Sequence, residues 1–109
     1  MDDDYAEAVL DLVEEIPAGR AMTYGTIAEV VGDRLEALDG RRRGGPRQVG
    51  QVLSRAGSGV PWWRVVNAAG RPPSRHLRRA LDLLADEQTP LSADGTRVAL
   101  RQAIWFPET

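Results

Sequence analysis

Two adjacent tryptophans offer the clearest chemistry in this chain. Residues 60–67 read VPWWRVVN, so Trp62 and Trp63 stand between a proline and Arg64. Neighbouring side chains of an extended strand point to opposite faces, and two large rings in a row therefore fit poorly into one buried strand. We predict that one indole packs in the core and that the other lines a pocket for a flat ligand.

Residue types that the chain lacks exclude several other kinds of chemistry. The 109 residues contain no cysteine, which excludes disulfides, thiolate zinc sites and cysteine nucleophiles. His76 is the only histidine, so a multi-histidine metal site within one chain is excluded as well. We expect no metal and no cofactor. Because no apolar run reaches about 18 residues and the chain opens on acids, we expect a cytoplasmic protein without a membrane partner.

The charges are distributed unevenly along the chain. The formal net charge is −2, yet residues 41–79 hold ten arginines and no acid, whereas residues 1–40 hold eleven acids and two arginines. Such a separation is typical of a protein with one polyanion-binding face. All fourteen basic residues are arginine. Genomic base composition explains that bias best, although arginine also brings bidentate phosphate bonding. We infer that the flat ligand is a base in DNA.

Hydrophobic periodicity predicts a mainly α-helical chain that folds as one domain over residues 1–109. Thr23 can cap the second helix, and Pro46 suits the first position of the third. The predicted elements are a helix from Asp3 or Asp4 to about Glu15, a helix from Tyr24 to about Val31, a loop over Asp33–Gly45 that could contain one helical turn at Leu35 and Leu38, a helix from Pro46 to about Arg55 and a helix from Ser74 to about Asp86.

The second and third predicted helices have helix-turn-helix order with a long connection. Gly50 costs the third helix about 1 kcal/mol relative to alanine, which indicates that another group approaches closely there. The run Arg41–Arg43 before this helix is most simply a solvated charge run, although it could also meet phosphates. The outer face of the third helix carries arginines and amides, which favour contacts to phosphates and base edges. These candidate DNA-binding residues are Arg47, Gln48, Gln51 and Arg55.

A small β-hairpin is predicted after the third helix, as the wing of a winged helix-turn-helix. Trp63, Val65 or Val66 can form a short strand, and residues 67–70 (NAAG) can turn the chain back. The end of the chain, residues 97–107, is predicted as a strand-like segment laid against the body.

Four motifs follow one another along the chain. Residues 16–28 read IPAGRAMTYGTIA, residues 47–50 RQVG, residues 60–65 VPWWRV and residues 83–87 LLADE. In order and spacing they resemble the signatures IPxGxVxTYGxIA, RAVG, IPCHRV and LLxxE of the DNA-binding domain of alkylguanine-DNA alkyltransferases. The resemblance extends over about residues 5–90.

Trp62 stands where that family carries its alkyl-accepting cysteine. This replacement resembles the alkyltransferase-like proteins, which share the fold and do not accept the alkyl group. Alkyl transfer to the protein needs a thiolate as the nucleophile, and an indole cannot take that role. The chain has no other cysteine, and no base is evident beside Ser54, Ser58 or Ser74. We therefore predict that the protein is not an enzyme and has no catalytic residues.

The resemblance also implies roles for four residues in binding duplex DNA. The helix-turn-helix would enter the minor groove and turn a damaged base out of the stack. Arg47 matches an arginine that fills the gap, and Tyr24 matches a tyrosine that helps to turn the nucleotide. Trp62 would form a wall of the lesion pocket, and Arg75 would stack against the flipped base. Simpler roles stay open: phosphate contacts for the arginines and core packing for the aromatic residues.

Other positions that match the family are expected to be structural. Arg64 matches the arginine of the active-site motif. Glu87 matches a glutamate that works with the histidine of that motif, but Trp63 stands at the histidine position here. His76 is interpreted as a surface or capping residue. The departure at Trp63 leaves the range of lesions open.

Three functions from different classes fit these observations. The first is a monomeric sensor that binds 6-O-alkylguanine in duplex DNA, leaves it unchanged and hands it to nucleotide excision repair proteins, a step that only the resemblance implies. The second is a winged-helix transcription regulator that reads undamaged DNA. The third is an inactive relic that serves as a protein-interaction module. The arginine-rich, acid-free middle favours the two DNA-binding functions.

Overall fold

Five α-helices and one short pair of strands make up the structure, a computed structural model that describes residues 3–108. This architecture confirms the predicted mainly α-helical class. Among the described residues, no helix is both long enough and apolar enough to cross a bilayer. The elements in chain order are α1 (Asp3–Glu15), β1 (Met22–Thr23), α2 (Tyr24–Asp39), α3 (Pro46–Ala56), β2 (Val65–Val66), α4 (Leu77–Asp86) and α5 (Leu100–Ala103).

The larger core lies between α1, α2 and α3, where the predicted apolar stripes meet. Each fully buried Val, Leu or Ile side chain contributes about 1.5–3 kcal/mol to this packing. Thr23 caps α2 as predicted, because its Oγ1 accepts a hydrogen bond from the Thr26 N–H at 3.0 Å. The side chains that fill this core without exposure are Val9, Leu12, Val13, Met22, Ile27, Val31, Val49 and Val65.

The prediction that α2 stops near Val31 is wrong, and the loop predicted over residues 33–45 is confined to residues 40–45. Gly32 lies buried inside the helix instead of ending it. A side chain at Gly32 would come within 3.2 Å of the Arg42 guanidinium, so the glycine leaves room for that group. Leu35 extends the buried stripe by another turn. This packing carries α2 on to Asp39.

A short turn over residues 40–45 joins α2 to α3. Gly40 ends α2 in the left-handed conformation, with φ of 77°, and its N–H donates to the Glu36 carbonyl oxygen at 2.8 Å. Gly44 has φ of 85°, and the Tyr5 ring occupies the space where a side chain at this position would lie. The helix-turn-helix prediction therefore holds with a shorter turn than expected, and α3 begins at Pro46 as predicted.

The predicted β-hairpin is wrong. Val65 and Val66 pair in parallel with Met22 and Thr23, in the register Met22–Val65 and Thr23–Val66. The turn over residues 67–70 does form, with a hydrogen bond from the Gly70 N–H to the carbonyl oxygen of residue 67 at 2.9 Å. The described chain that follows forms no strand against β2, whose paired strand is β1. Val65 is buried in the larger core and Val66 in a second, smaller core.

The last helix starts later than predicted. Residues 74–76 form one turn of 3₁₀ helix, and α4 begins only at Leu77. The Ser74 side chain makes no capping hydrogen bond. The end at Asp86 agrees with the prediction.

The end of the chain closes a second, smaller core. The strand-like segment predicted over residues 97–107 is only partly extended, because it contains α5 and joins the body through the isolated bridges Leu91–Val98 and Ala21–Ile104. The Arg20 Nε donates to the Ala103 carbonyl oxygen at 3.0 Å and holds this segment in place. The buried side chains of the second core are Ala21, Val66, Leu84, Val98 and Ala103, with no side chain exposed by more than 2 %.

Gly70 provides a test of how the second core closes. Its φ is 87°, and an added Cβ would lie 2.3 Å from the Val98 carbonyl oxygen, a backbone atom that cannot move aside. We expect Gly70→Ala to lower the free energy of unfolding by about 2–4 kcal/mol in urea denaturation. Gly95→Ala is the matched control, because its φ is 70° but the space around it is open. It should cost about 1 kcal/mol, and equal losses in the two variants would contradict the proposed clash.

Candidate nucleic-acid interface

The two adjacent tryptophans separate as predicted, one into a core and one to a cavity. Residues 62–64 form a single 3₁₀ turn, in which successive side chains point in different directions. Trp63 packs against the second core, whereas Trp62 lines a surface cavity. The ring centroids are 5.8 Å apart and the planes meet at 87°, an edge-to-face contact that fixes one ring against the other.

The surface cavity beside Trp62, called here the Trp62 cavity, has a volume of about 340 Å³. Ligand pockets in proteins start at about 300 Å³, so this space suits a group of the size of a nucleobase. All three residues predicted for the lesion pocket contribute to its lining. The lining residues are Tyr24, Gly50, Leu53, Ser54, Gly57, Ser58, Trp62, Pro73, Arg75, His76 and Arg79.

A second hollow, called here the α3 groove, adjoins the Trp62 cavity. Arg47, at the start of α3, lines it together with Asn67. Tyr24 and Gly50 line both hollows and so form their common wall. A side chain at Gly50 would meet nothing nearer than the Tyr24 ring at 4.0 Å, an ordinary contact. The close approach predicted at Gly50 is therefore not made by the protein itself.

The predicted DNA-binding residues of α3 are all exposed, but they lie on two sides of the helix. Arg47 lies at the α3 groove. Gln48, Gln51 and Arg55 line a different hollow on the other side. The structure thus brings Arg47 next to the Trp62 cavity and leaves the two amides and Arg55 apart from it.

Tyr24 lies at the junction of the two hollows and is half-buried against the larger core. Burial raises the pKa of its phenol above the ordinary value of 10, so the hydroxyl stays protonated at neutral pH. Among the described residues this hydroxyl has no hydrogen-bond partner. It is therefore a neutral donor that a bound phosphate or base could use.

Ion pairing divides the ten arginines of residues 41–79 into two groups. Four of them pair with acids: Arg42 with Asp33, Arg41 and Arg43 with Asp39, and Arg64 with Glu87. The run 41–43 is thus tied to α2, and its predicted alternative role at phosphates has no direct support. The remaining arginines have no acidic partner within 4 Å in residues 3–108, and they are Arg47, Arg55, Arg71, Arg75, Arg78 and Arg79.

His76 has a place at the cavity that the sequence did not reveal. The residue is exposed, as predicted, and it precedes α4 without a side-chain capping bond. Its ring lies 5.6 Å from the Trp62 ring, with the planes inclined at 60°. Arg79, one helical turn further on, lines the same cavity. Its i, i+4 spacing from Arg75 was the available signal, because such residues lie on one face of a helix.

Arg64 and Glu87 form a largely buried ion pair beneath the tryptophan turn. The guanidinium donates two hydrogen bonds to the carboxylate, the Nε–Oε1 bond being 3.0 Å long, and a third from Nη1 to the Ile16 carbonyl oxygen at 2.7 Å. Its Cζ lies 5.4 Å from the centre of the Trp63 ring. Both residues therefore have the structural role that was predicted for them. The Arg64 guanidinium, paired with Glu87, lies against Trp63, and Trp63 packs edge-to-face with Trp62.

The pKa of the Glu87 carboxyl is lowered by this arrangement. Burial is the strongest single effect and acts to raise this pKa, but the hydrogen bonds and charge of Arg64, together with the Trp63 indole and the Gly19 N–H, outweigh it and favour the charged form. The indole N–H itself is buried and does not reach hydrogen-bond geometry with any described residue. The described residues contain no group of three His, Cys, Asp or Glu side chains that could hold a metal ion.

Sequence comparison identifies the family. Residues 4–89 match the family model of the DNA-binding domain of 6-O-methylguanine DNA methyltransferase. A DNA base-flipping protein of Vibrio parahaemolyticus is 32 % identical over 109 residues, which cover 96 % of this chain and 99 % of that protein. Alkyltransferase-like protein 1 of Schizosaccharomyces pombe is 32 % identical over 114 residues, 96 % of this chain and 97 % of that protein.

The chain belongs to the alkyltransferase-like family.

Structural comparison agrees with this assignment. The crystal structure of S. pombe Atl1 in complex with damaged DNA containing O6-carboxymethylguanine superposes with a TM-score of 0.75 at 31 % identity, covering 98 % of this chain and 99 % of that one. A second structure of the S. pombe alkyltransferase-like protein with DNA has a TM-score of 0.71 at 33 % identity. Coverage of both chains is nearly complete, so the alkyltransferase-like fold extends beyond residues 4–89 into the C-terminal segment.

The stability of this alkyltransferase-like protein should depend on pH through Glu87. The pKa of Glu87 is lower in the folded protein than its unfolded value of about 4.3. The Arg64–Glu87 pair therefore stabilises the fold fully above the unfolded pKa, and this contribution is lost as the pH falls through the folded pKa. At pH 7 we expect Glu87→Gln to lower the free energy of unfolding by about 1–3 kcal/mol. Urea denaturation between pH 3 and pH 7 should show the difference narrowing in acid. Asp82→Asn, at an exposed acid of α4, the helix that ends just before Glu87, should change little. A Glu87→Gln difference that stays constant with pH would contradict the assignment.

Proposed function

We propose that this protein recognises 6-O-alkylguanine in duplex DNA, turns the damaged base into the Trp62 cavity and leaves it chemically unchanged. The observation that carries the proposal is the meeting of Tyr24, Trp62 and Arg75 around one cavity of nucleobase size next to α3. Relatives named for base flipping, and a related structure bound to O6-carboxymethylguanine DNA, support the same function. α3 would enter the minor groove, with Arg47 leading.

The two adjoining hollows suggest a route for the base. Arg47 lines the α3 groove, and the wall between this groove and the Trp62 cavity consists of Tyr24 and Gly50. A base that leaves the stack beside Arg47 would pass Tyr24, whose hydroxyl can donate to the backbone of the moving nucleotide. Gly50 offers no side chain to obstruct that passage. The Arg47 guanidinium would then fill the gap in the stack, which limits the cost of extrusion.

Inside the cavity, Trp62 and Arg75 would hold the base. The flat face or edge of the indole suits an alkylated purine, and stacking of a base on an aromatic ring contributes about 1–3 kcal/mol. Arg75 would lie against the other side and respond to the altered electrostatics of an alkylated guanine. Arg75 has no acidic partner among residues 3–108, so its guanidinium can turn towards a base.

The same cavity offers no nucleophile for alkyl transfer. The chain contains no cysteine. Ser54 and Ser58 line the cavity, but neither hydroxyl forms a hydrogen bond with His76 or with any acid in the described part of the chain. A serine needs an adjacent base to become nucleophilic. The bound lesion would therefore persist, and other proteins would have to remove it; we propose that the complex of a monomer with damaged DNA recruits the proteins of nucleotide excision repair.

A binding titration tests this function. Matched duplexes containing guanine or 6-O-methylguanine should be compared at a stated salt concentration, because the affinity for both depends on salt. We expect the lesion duplex to bind at least about fivefold more tightly, the ratio that about 1 kcal/mol of base discrimination produces. Incubation with duplex carrying a labelled methyl group should leave the protein unlabelled. Equal binding of the two duplexes would contradict damage recognition, and selective binding to one undamaged sequence would favour a transcription regulator.

Two variants should separate discrimination from general affinity. Trp62→Ala removes the stacking surface, so we expect the ratio of affinities for 6-O-methylguanine and guanine duplexes to fall about fivefold or more, with a smaller change for undamaged DNA. Arg47→Ala should weaken binding to both duplexes, since an arginine that fills the gap in the stack would also contact the DNA around the lesion. Fluorescence anisotropy with both duplexes measures the two effects. An unchanged ratio in Trp62→Ala would show that the indole does not line the lesion pocket.

A further inference from the structure

One wall of the Trp62 cavity is basic. Arg75, His76 and Arg79 line it, and no aspartate or glutamate is among the lining residues. The His76 ring lies 5.6 Å from the Trp62 ring, so the imidazole stands beside the indole at the cavity itself. The cavity therefore combines aromatic surface from Tyr24 and Trp62 with a group of cationic and N–H donor side chains.

The charge on this wall is not neutralised within the described residues 3–108. Neither Arg75 nor Arg79 forms a hydrogen bond or an ion pair there. The nearest acids along α4, Asp82 and Asp86, line a neighbouring hollow that Arg75, His76 and Arg79 also line, but neither acid makes an ion pair within 4 Å among the described residues. Other arginines of this chain, such as Arg64, are held by carboxylates. A partly enclosed cationic wall whose arginines form no ion pair favours an anionic ligand group.

A flipped guanine with a neutral alkyl group would present no anion to this wall. The geometry points to a preference for 6-O substituents that end in a carboxylate, such as carboxymethyl, over neutral substituents of the same size. Arg79 and His76 would bind the terminal carboxylate, while Trp62 and Tyr24 hold the base. This inference rests on the proposed function, because it concerns the adduct on a base that has entered the cavity.

The residue types suit that task. An arginine can donate two parallel hydrogen bonds to one carboxylate, and charge-assisted bonds of this kind are about twice as strong as neutral ones. A histidine donates an N–H to a carboxylate even when the imidazole is neutral. Arg75 would remain against the base. Arg79, one helical turn further on, would bind the carboxylate together with His76.

Phosphate contacts are the competing use of these arginines. Binding to the DNA backbone would raise the affinity for every duplex and would carry no information about the adduct. A comparison of two duplexes that differ only in the adduct removes this contribution, because their phosphates are the same. Arg78 supplies the matched control. It is exposed on the same helix and lines the neighbouring hollow, but it does not line the Trp62 cavity.

The test uses three duplexes of one sequence, containing guanine, 6-O-carboxymethylguanine or 6-O-carbamoylmethylguanine, the last being the neutral amide of nearly equal shape. We expect the wild-type protein to bind the carboxymethyl duplex about three- to tenfold more tightly than the carbamoylmethyl duplex, as for a charge-assisted contact at a partly exposed site. Arg79→Gln should reduce this ratio towards one, and His76→Phe, which keeps a ring beside Trp62 but removes its N–H, should reduce it in part. Arg78→Gln should leave it unchanged.

The possible outcomes distinguish a failure of this inference from a failure of the proposed function on which it rests. If both adducts bind more tightly than guanine but equally well, damage recognition stands and the anion preference is overturned. A ratio that falls by the same factor in Arg78→Gln and Arg79→Gln would also overturn it, since the charge would then act from outside the cavity. If neither adduct binds more tightly than guanine, the proposed function fails as well. Thermal unfolding of each variant verifies that the fold is intact.

Discussion

Arg64 and Glu87 join the turn that carries both tryptophans to the end of α4. Their hydrogen bonds, together with the one from Arg64 to the Ile16 carbonyl oxygen, tie three separate parts of the chain to one guanidinium. Trp63 lies against that group and meets Trp62 edge-on. An exposed indole would otherwise sample several rotamers, so this chain of contacts keeps a flat surface ready at the cavity and reduces the entropy lost on binding.

Charge has a double use in this molecule. The acids of α2 neutralise the arginines just beyond its end, and Glu87 neutralises Arg64. These arginines serve the fold. Within residues 41–79, the arginines without a carboxylate partner among the described residues lie on α3 and between β2 and the first turn of α4, and two of them, Arg75 and Arg79, line the Trp62 cavity. A net charge of −2 is therefore compatible with a basic surface, because the acids are located elsewhere or are already paired.

Local signals in the sequence predicted local structure well. The Thr23 cap, the start of α3 at Pro46 and the separation of the two indoles each depend on neighbouring residues, and the structure has all three. Predictions failed where contacts between separate parts of the chain determine the local structure. Gly32 does not end α2, since Leu35 extends the buried stripe of that helix, and Val65 pairs with Met22, which lies far away in the sequence. The motif resemblance named Tyr24, Trp62 and Arg75, but His76 became visible only once α4 was in place.

The second core shows that the folded unit extends beyond residue 89. The sequence family is defined on residues 4–89, yet Val98 and Ala103 are buried against Val66 and Leu84, and Arg20 holds the carbonyl of residue 103. A protein trimmed to the family boundary would leave one side of β2 open to water. The segment after residue 89 thus covers part of the hydrophobic interior, and deletion of Val98 and Ala103 would remove buried side chains from the second core.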